Sequence, residues 1–522
     1  MARTEEAILP SSRVFDTPTV LFLLASLILL YSFLFVLPFT PIDRSLDGLF
    51  YVSDGKRMYE GEVIYRDFFQ FSTPGAAIVY SILFKLFGLR LWIPNIALLL
   101  LGLGLLCLSL VVAKKLMRPS IALLSSAIFL VGVYRTLLDP THHWYSVLCV
   151  AAALALVTER RTLARLAAAG CFCGLATCFT QLRGLAAVVG FGAFLWWEFR
   201  QRREDWREWL KKEAGLVGSF LATILAVNAY FVWKAGLTRF LWCTVVFGIE
   251  YYPKQADANT LLGFMQSLPE FRSLSDLLWR SAAWLFLYAV IPLTYILFFA
   301  RYWRASGKEP VELWERPMLL AMVGSFMLLS VVPAPTIQRM GSSTLPGIIL
   351  LGWFLNSPRK FARVLAGVLA GGVLLTASRG VVRFQNIERW IFTTPQGQIA
   401  IEDLDASWEY AWVQQHTRPS DYFYAARLPA GMYFYLNLRN PTPLPFITNN
   451  GYTTPRQVAE VIQGLEQHQV RYVLWPSWDL DTLPEWENPS DDHLGPLRDY
   501  IHRRYHLVRV FTNSDQIWER NN

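Results

Sequence analysis

The stretch Pro41–Pro74, PIDRSLDGLFYVSDGKRMYEGEVIYRDFFQFSTP, follows directly on an apolar run from Thr19 to Phe39. About 20 apolar residues, each rising about 1.5 Å in a helix, cross the hydrocarbon core of a bilayer. The stretch itself is polar and carries Asp43, Asp47, Asp54, Glu60, Glu62 and Asp67. Once it has crossed, the chain therefore lays a set of carboxylates on the far membrane surface.

Outward from this loop, further apolar runs occupy 91–113, 119–135, 143–158, 163–180, 184–199, 214–234, 281–300, 317–335, 344–356 and 361–379. With the first run they predict about eleven spans. Ala76–Leu89 is apolar but follows Pro74-Gly75 and carries Lys85, which reads as an interfacial helix. The first run is longer than the apolar core of a signal peptide and lacks a cleavage site, so a signal anchor is expected.

Composition agrees. Of 522 residues, 54% are hydrophobic and only 17% charged, where soluble domains carry about 25%. The mean hydropathy is +0.31, and 20 Trp with 22 Tyr suit aromatic belts at two membrane interfaces. The net charge of +8 is not a nucleic-acid footprint. It falls in clusters, at Lys114, Lys115 and Arg118, at Arg160, Arg161 and Arg165, and at Arg200–Lys212. Two more lie at Arg301–Arg316 and at Arg359–Arg363. They occupy every second gap between apolar runs, as cytoplasmic loops do. No nucleic-acid partner is expected; membrane lipids are. The loops 40–74, 136–142, 181–183, 235–280 and 336–343 then share the opposite face.

All six cysteines lie in or beside apolar runs. Cys171, Cys173 and Cys178 sit in AAAGCFCGLATCF, where small residues predict close helix packing rather than a metal site. From Gly380 the composition changes. Helix-like Asp403–His416, Pro455–Gln467 and Leu494–Tyr505 alternate with strand-like Asp421–Arg427, Val470–Trp475 and His506–Thr512. The expected architecture is an all-α polytopic membrane domain over 1–379 followed by a small α/β or α+β extracytoplasmic domain over 380–522. The Pro- and Asn-rich segment Asn437–Gly451 is expected to face the membrane site.

A carboxylate at a membrane boundary is costly to leave unpaired, so it has a partner, a metal or a chemical task. Asp47, Asp139 in LLDPTHHW, and Asp67 beside Phe68 and Phe69 are the candidates for catalysis. Asp43, Asp54, Glu60 and Glu62 read as solvated loop residues. His142 and His143 with Asp139 form a candidate divalent-cation group, though most metal sites use three or four ligands. The aromatic residues of the C-terminal domain, such as Tyr422, Tyr424, Tyr472 and Trp475, read as core.

The pattern Asp47-Gly48, Tyr51, Met58-Tyr59-Glu60-Gly61, Tyr65-Arg66-Asp67-Phe68-Phe69 and Pro74-Gly75 resembles the first outer loop of the GT-C superfamily. These are multi-spanning glycosyltransferases, including the aminoarabinose transferases, the protein O-mannosyltransferases and the RgtA/B/C/D-like bacterial enzymes. Leu138-Asp139-Pro140 is similar to the family's second-loop element, and Arg339–Pro346 to its later Arg–Pro segment. Gly48 departs from the family, which has a second acid there; Ser72-Thr73 stands where some members place Glu-Lys.

The resemblance implies an integral-membrane enzyme of the bacterial inner membrane, with its N-terminus cytoplasmic and its C-terminal domain extracytoplasmic. It implies a polyprenyl-phosphate sugar donor, a glycan, lipid or protein acceptor, and inverting transfer. On that reading Asp47 is the general base, and Arg183, Arg339 and Lys85 are candidate partners of the donor phosphate. The cofactor is unknown, with a divalent metal ion left open. The rival readings are a lipid-linked sugar flippase, which would show paired halves and charges near the bilayer midplane, and a non-catalytic GT-C scaffold protein. A single cysteine placed at Glu60 is expected to react with a membrane-impermeant maleimide in intact cells, whereas one placed at Arg203 reacts only after lysis.

Overall fold

The computed structural model describes residues 16–44, 47–255, 259–266, 273, 282, 284–427, 430–482 and 489–521. Parts of the expected outer loop 235–280 lie outside these, as does the N-terminus ahead of the first span. Each of the eleven apolar runs forms a helix over most of its described length. Among the described residues, seven helices are long and apolar enough to cross a membrane by themselves: Thr17–Leu34, Ile93–Ala113, Pro119–Leu137, Gln181–Arg202, Trp206–Ala235, Phe286–Ala305 and Lys360–Gln385. Shorter apolar helices, His142–Val157, Leu163–Phe179 and Leu345–Leu355, pack among them. The last helix runs on to Gln385, past the change of composition at Gly380.

The loops sort to two ends of the bundle, as the charge pattern requires. At one end Arg161 pairs with Glu315 (2.9 Å) and Glu198 (3.2 Å), and Arg202 also meets Glu315. Arg316 donates to the Lys115 carbonyl (2.7 Å), and Lys115 reaches Glu159 (3.5 Å). At the other end stand the first loop, Asp139, Arg183 and Arg339.

Small residues let three helices approach closely. A Cβ at Gly170 would overlap the Leu216 carbonyl of Trp206–Ala235, and one at Gly184 would overlap the Leu163–Phe179 backbone. The expected role of AAAGCFCGLATCF in packing is thus met, and all six cysteines are free thiols.

The polar stretch after the first span folds into the helix Gly48–Tyr59, a turn, and the helix Gly75–Phe87. Four of its acids, expected to be solvated, are instead held by specific donors. Asp54 is buried and accepts from Gln70 Nε2 (2.6 Å). Glu60 pairs with buried Lys56 (2.7 Å), and Glu62 with Arg57 (2.6 Å). Asp43 accepts from the Tyr435 hydroxyl. Burial of the loop's apolar side chains carries these acids inward, and each then requires a donor.

The C-terminal part holds a four-stranded sheet in the order Tyr424–Ala425, Tyr472–Pro476, Asp515–Arg520, Tyr505–Val510. The first pair is parallel and the others are antiparallel. Helices Leu404–His416, Pro455–Gln467 and Gly495–Arg504 fall where the sequence places them. Thr454 caps the second of these with a reciprocal Gln457 contact. Two features were not anticipated: the hairpin Trp390–Thr394/Gly397–Ile401 and the central strand Asp515–Arg520.

One core joins the two regions. Ile64, Tyr65, Phe68 and Phe69 of the first loop share a buried cluster with Val458, Val461, Val473 and Ile501. Polar ties reinforce it: Lys56 Nζ donates to the Leu438 carbonyl (2.9 Å), Arg57 Nη1 to Thr442 (3.0 Å), and Phe69 N–H to Pro443 (2.8 Å). Gly170→Val is expected to lower stability by about 1–3 kcal/mol through overpacking, read as an earlier thermal transition in detergent, whereas Gly218→Val, at an open position, leaves it unchanged.

Candidate active site

The helix Pro119–Phe129 widens into a π turn over Leu130–Tyr134, then tightens over Arg135–Leu137. It stops at Leu138-Asp139-Pro140, because a residue before proline is pushed out of the helical region. This sets Asp139, only 1% exposed, against the start of Gly48–Tyr59. Gly48 N–H donates to Asp139 Oδ1 (2.8 Å), and Gln338 Nε2 donates to Oδ2 (2.9 Å). Asp139 thereby caps a helix on another segment. It meets the first free N–H of that helix, where the helix dipole favours negative charge.

Asp47 occupies the cap position of the same helix but makes no side-chain capping bond. Asp139 takes the Gly48 N–H, and the Asp47 carboxylate is left without a capping bond among the described residues. It is solvent-accessible, yet Arg339, Tyr51, Tyr252 and Tyr452 lie within reach of its charge. An accessible group among so many neighbours lies on the wall of a cleft. Surrounding protein pushes the Asp47 carboxyl above its ordinary value, opposed by Arg339. Burial pushes Asp139 up to about 7, against the donors that favour its ionised form.

Gly48 has a local explanation. A Cβ there would overlap Asp139 Oδ1 and the Pro140 backbone. An acid at this position, as the resembling family carries, would have no room while Asp139 caps the helix.

Arg339 is held by Tyr252, whose hydroxyl accepts from Nη2, by Asn259 Oδ1 (3.0 Å), and by the Ala334 carbonyl (3.2 Å). Arg183 is 2% exposed, so it does not snorkel to headgroups. Its Nη1 donates to Ser146 Oγ (2.9 Å) and the His143 carbonyl (3.2 Å), and its Nη2 to Ser342 Oγ (2.6 Å). Its Nε has no partner, and it makes no ion pair among the described residues. Ser342 links it to Arg339, whose carbonyl accepts from the same hydroxyl (3.1 Å).

The remaining candidates are placed otherwise. Asp67 is exposed and pairs with its neighbour Arg66 (2.7 Å), accepting also from Val63 N–H (2.7 Å). Lys85 is exposed on Gly75–Phe87 and bonds with none of the other candidates.

His142 Nδ1 donates to the Phe179 carbonyl (2.8 Å), with Thr180 Oγ1 at 2.9 Å, and its ring lies 4.6 Å from Tyr51 and 4.1 Å from His143. His143 Nδ1 faces Arg183 Nη1 at 3.4 Å. Asp139 spends both oxygens on Gly48 and Gln338. His142, His143 and Asp139 are therefore not arranged as a ligand set, and no group of three or more His, Cys, Asp or Glu among the described residues is placed to hold a metal. Both Asp139 oxygens and the Nδ1 atoms of the two histidines already face protein partners.

The C-terminal part closes the cleft. Phe446 packs on Phe50 (5.2 Å) and Tyr452 (5.5 Å), and Tyr452 lies 5.0 Å from Phe247. Gly451 lies against Lys254. The expected approach of Asn437–Gly451 to the membrane site is present. Sequence reading missed Gln338, Tyr252, Asn259 and Tyr452. Gln338 adjoins Arg339, and Tyr252 and Asn259 lie in an outer loop, but nothing in the sequence pairs them with Asp139 or Arg339.

The fold is a polytopic helical bundle that supplies the floor of this cleft, with the C-terminal part as its cover. The chain is similar to ArnT from Cupriavidus metallidurans, in a crystal structure bound to undecaprenyl phosphate, with a TM-score of 0.57 and 12% identity over 96% of this chain and 97% of that one. Neither family models nor curated proteins match the sequence.

The raised Asp139 pKa makes a stability prediction with a definite sign. The folded state binds its proton more tightly than the unfolded chain, so stability is greatest below about pH 4 and declines as pH rises towards 7. Asp54, also pushed up to about 7, adds to the trend. Asn at 139 can still accept from Gly48 while carrying no charge. In thermal unfolding at pH 5, 6.5 and 8, Asp139→Asn is expected to gain on wild type as pH rises; a constant difference would contradict an ionising buried group.

Proposed function

We propose that this protein is an integral-membrane glycosyltransferase that moves a sugar from a polyprenyl-phosphate donor to an acceptor hydroxyl. The observation that carries it is the Asp47 carboxylate, freed from helix capping by Asp139 and facing Arg339 across a cleft at the membrane boundary. The undecaprenyl phosphate held by the ArnT neighbour supports a lipid-phosphate donor here.

In the proposed reaction the acceptor oxygen attacks the anomeric carbon as its bond to the phosphate oxygen breaks. The acceptor proton passes to Asp47, and the polyprenyl phosphate leaves with the bonding pair. A single displacement inverts the anomeric centre. Positioned general bases contribute about 10²–10⁴-fold, and Asp47's raised pKa moves it towards the range where a carboxylate takes a proton more readily. The leaving phosphate gains charge, which the Arg339 fork stabilises by direct contact. Arg183 adds its field from behind, through Ser342 and His143. Tyr51, Tyr252, Phe446 and Tyr452 provide aromatic walls for a sugar ring. Asp67 and Lys85 take no part in this scheme, and Asp139 acts by holding Gly48 and thus Asp47.

The test is sugar transfer by the full-length protein from a synthetic polyprenyl-phosphate sugar to membrane lipid and glycan extracts. Asp47→Asn is expected to lower turnover about 100-fold or more while still binding the donor; Arg339→Gln is expected to weaken donor binding. Turnover should fall on the acid side through a pKa above that of an ordinary aspartate, since only the ionised carboxylate accepts the proton. Undiminished transfer by Asp47→Asn would remove it from the chemistry.

A further inference from the structure

The scaffold fixes His142 and His143 through one ring nitrogen each and leaves the other nitrogen open. His142 Nδ1 meets the Phe179 carbonyl at 2.8 Å. A carbonyl only accepts, so Nδ1 carries the proton and Nε2 keeps its lone pair. His143 Nδ1 faces Arg183 Nη1 at 3.4 Å. A guanidinium only donates, so here Nδ1 is the bare nitrogen and Nε2 carries the hydrogen. Arg183 and Arg339 both act on the two rings, and a second proton on either ring would add like charge beside them.

Both histidines are half-buried, and neither Nε2 has a protein partner or is sealed from solvent among the described residues. The rings lie together, with centroids 4.1 Å apart. Phe179 and Thr180 back the first, and Arg183 backs the second. In front, the Tyr51 ring lies 4.6 Å from His142. Tyr51 stands one turn after Asp47 on the helix that Asp47 begins, and the charge of Asp47 reaches its hydroxyl.

A bare nitrogen beside an N–H is an acceptor next to a donor. Adjacent hydroxyls of a sugar match this alternation: one gives its hydrogen to His142, and its neighbour accepts from His143. An ammonium group does not match, because it has no lone pair for His143 and is repelled by Arg183 and Arg339. An ionised carboxylate does not match either, because it has no hydrogen for His142.

We infer that His142 and His143 open on the cleft as a hydroxyl-reading pair, which selects an uncharged sugar with adjacent hydroxyls and refuses one bearing an ammonium group. This selectivity rests on the function proposed above, in which Arg339 holds the donor phosphate and Asp47 lies at the anomeric carbon. The sugar then extends from Asp47 past Tyr51 to the two rings. Both histidines bind, and no proton passes through them.

The test is calorimetric binding of lipids to the full-length protein in detergent. The lipids are undecaprenyl phosphate, bare or carrying glucose, mannose, galactose, arabinose or aminoarabinose. Wild type is expected to bind at least one neutral sugar lipid about tenfold more tightly than the bare lipid, and the aminoarabinose lipid no more tightly than the bare one. His142→Asn keeps a donor for the Phe179 carbonyl, and His143→Asn keeps an acceptor for Arg183, but both lack a group at the Nε2 position. Each is expected to lose most of the sugar-dependent gain while binding the bare lipid as wild type does. His143→Gln, which returns an N–H to that position, is expected to recover part of it. No gain from any neutral sugar, the largest gain from aminoarabinose, or a full gain kept by both Asn variants overturns the pair as a sugar reader. A wild type that binds none of the lipids overturns the donor itself, and the pair with it. The comparison of neutral and ammonium-bearing sugars uses wild type alone, so it decides even where a variant does not fold.

Discussion

A helix that begins in a membrane-boundary cleft exposes backbone N–H groups that need an acceptor, and here Asp139 supplies it from another segment. The Asp139–Gly48 hydrogen bond ties the end of one membrane helix to the start of the first-loop helix. Caps of this kind contribute about 0.5–2 kcal/mol, a modest energy with a large geometric effect. It fixes where Gly48–Tyr59 starts, and therefore where Asp47 points. It also removes the one local demand on the Asp47 carboxylate, which the N-cap position would otherwise claim. Gln338 on the second Asp139 oxygen extends the tie to the segment that carries Arg339. One buried carboxylate thus links the positions of the acid and the base-lined wall opposite it.

The same economy governs the first loop. Its apolar residues, Ile64 to Phe69, leave the membrane surface and enter a core shared with the C-terminal sheet. Lys56 and Arg57 then donate to carbonyls of the segment that covers the cleft. The cover and the floor are consequently not independent layers. Any movement of Asn437–Gly451 that admits a ligand must work against the polar contacts made by Lys56, Arg57 and Phe69.

Much of this architecture was legible in the chain. Apolar runs gave the helices, and basic clusters in alternate gaps gave the two ends of the bundle. The carboxylate-rich loop marked the end of the bundle where Asp47, Asp139 and Arg339 gather. Asp139 stood out because an acid before proline at a helix end is expensive without a purpose. Its purpose was not legible: next to His142 and His143 it suggested cation binding, whereas the fold spends its oxygens on a helix terminus and an amide. Arg183 stood out as a basic residue at a loop, yet the packing of Gln181–Arg202 turns it inward. The strand Asp515–Arg520 was missed because its charged ends mask a middle that is buried between two partners.

The sequence by itself determined that the chain is a polytopic helical membrane protein, which end of the bundle carries the acids, and that a mixed domain follows. These follow from hydrophobic length and charge placement, which act locally along the chain. Tertiary contacts set which acid is spent on a helix terminus, why Gly48 has no side chain, and why buried Arg183 meets hydroxyls rather than an acid among the described residues. Those outcomes depend on contacts between residues far apart in sequence. There a single ångström of approach decides whether a carboxylate caps a helix or faces a cleft.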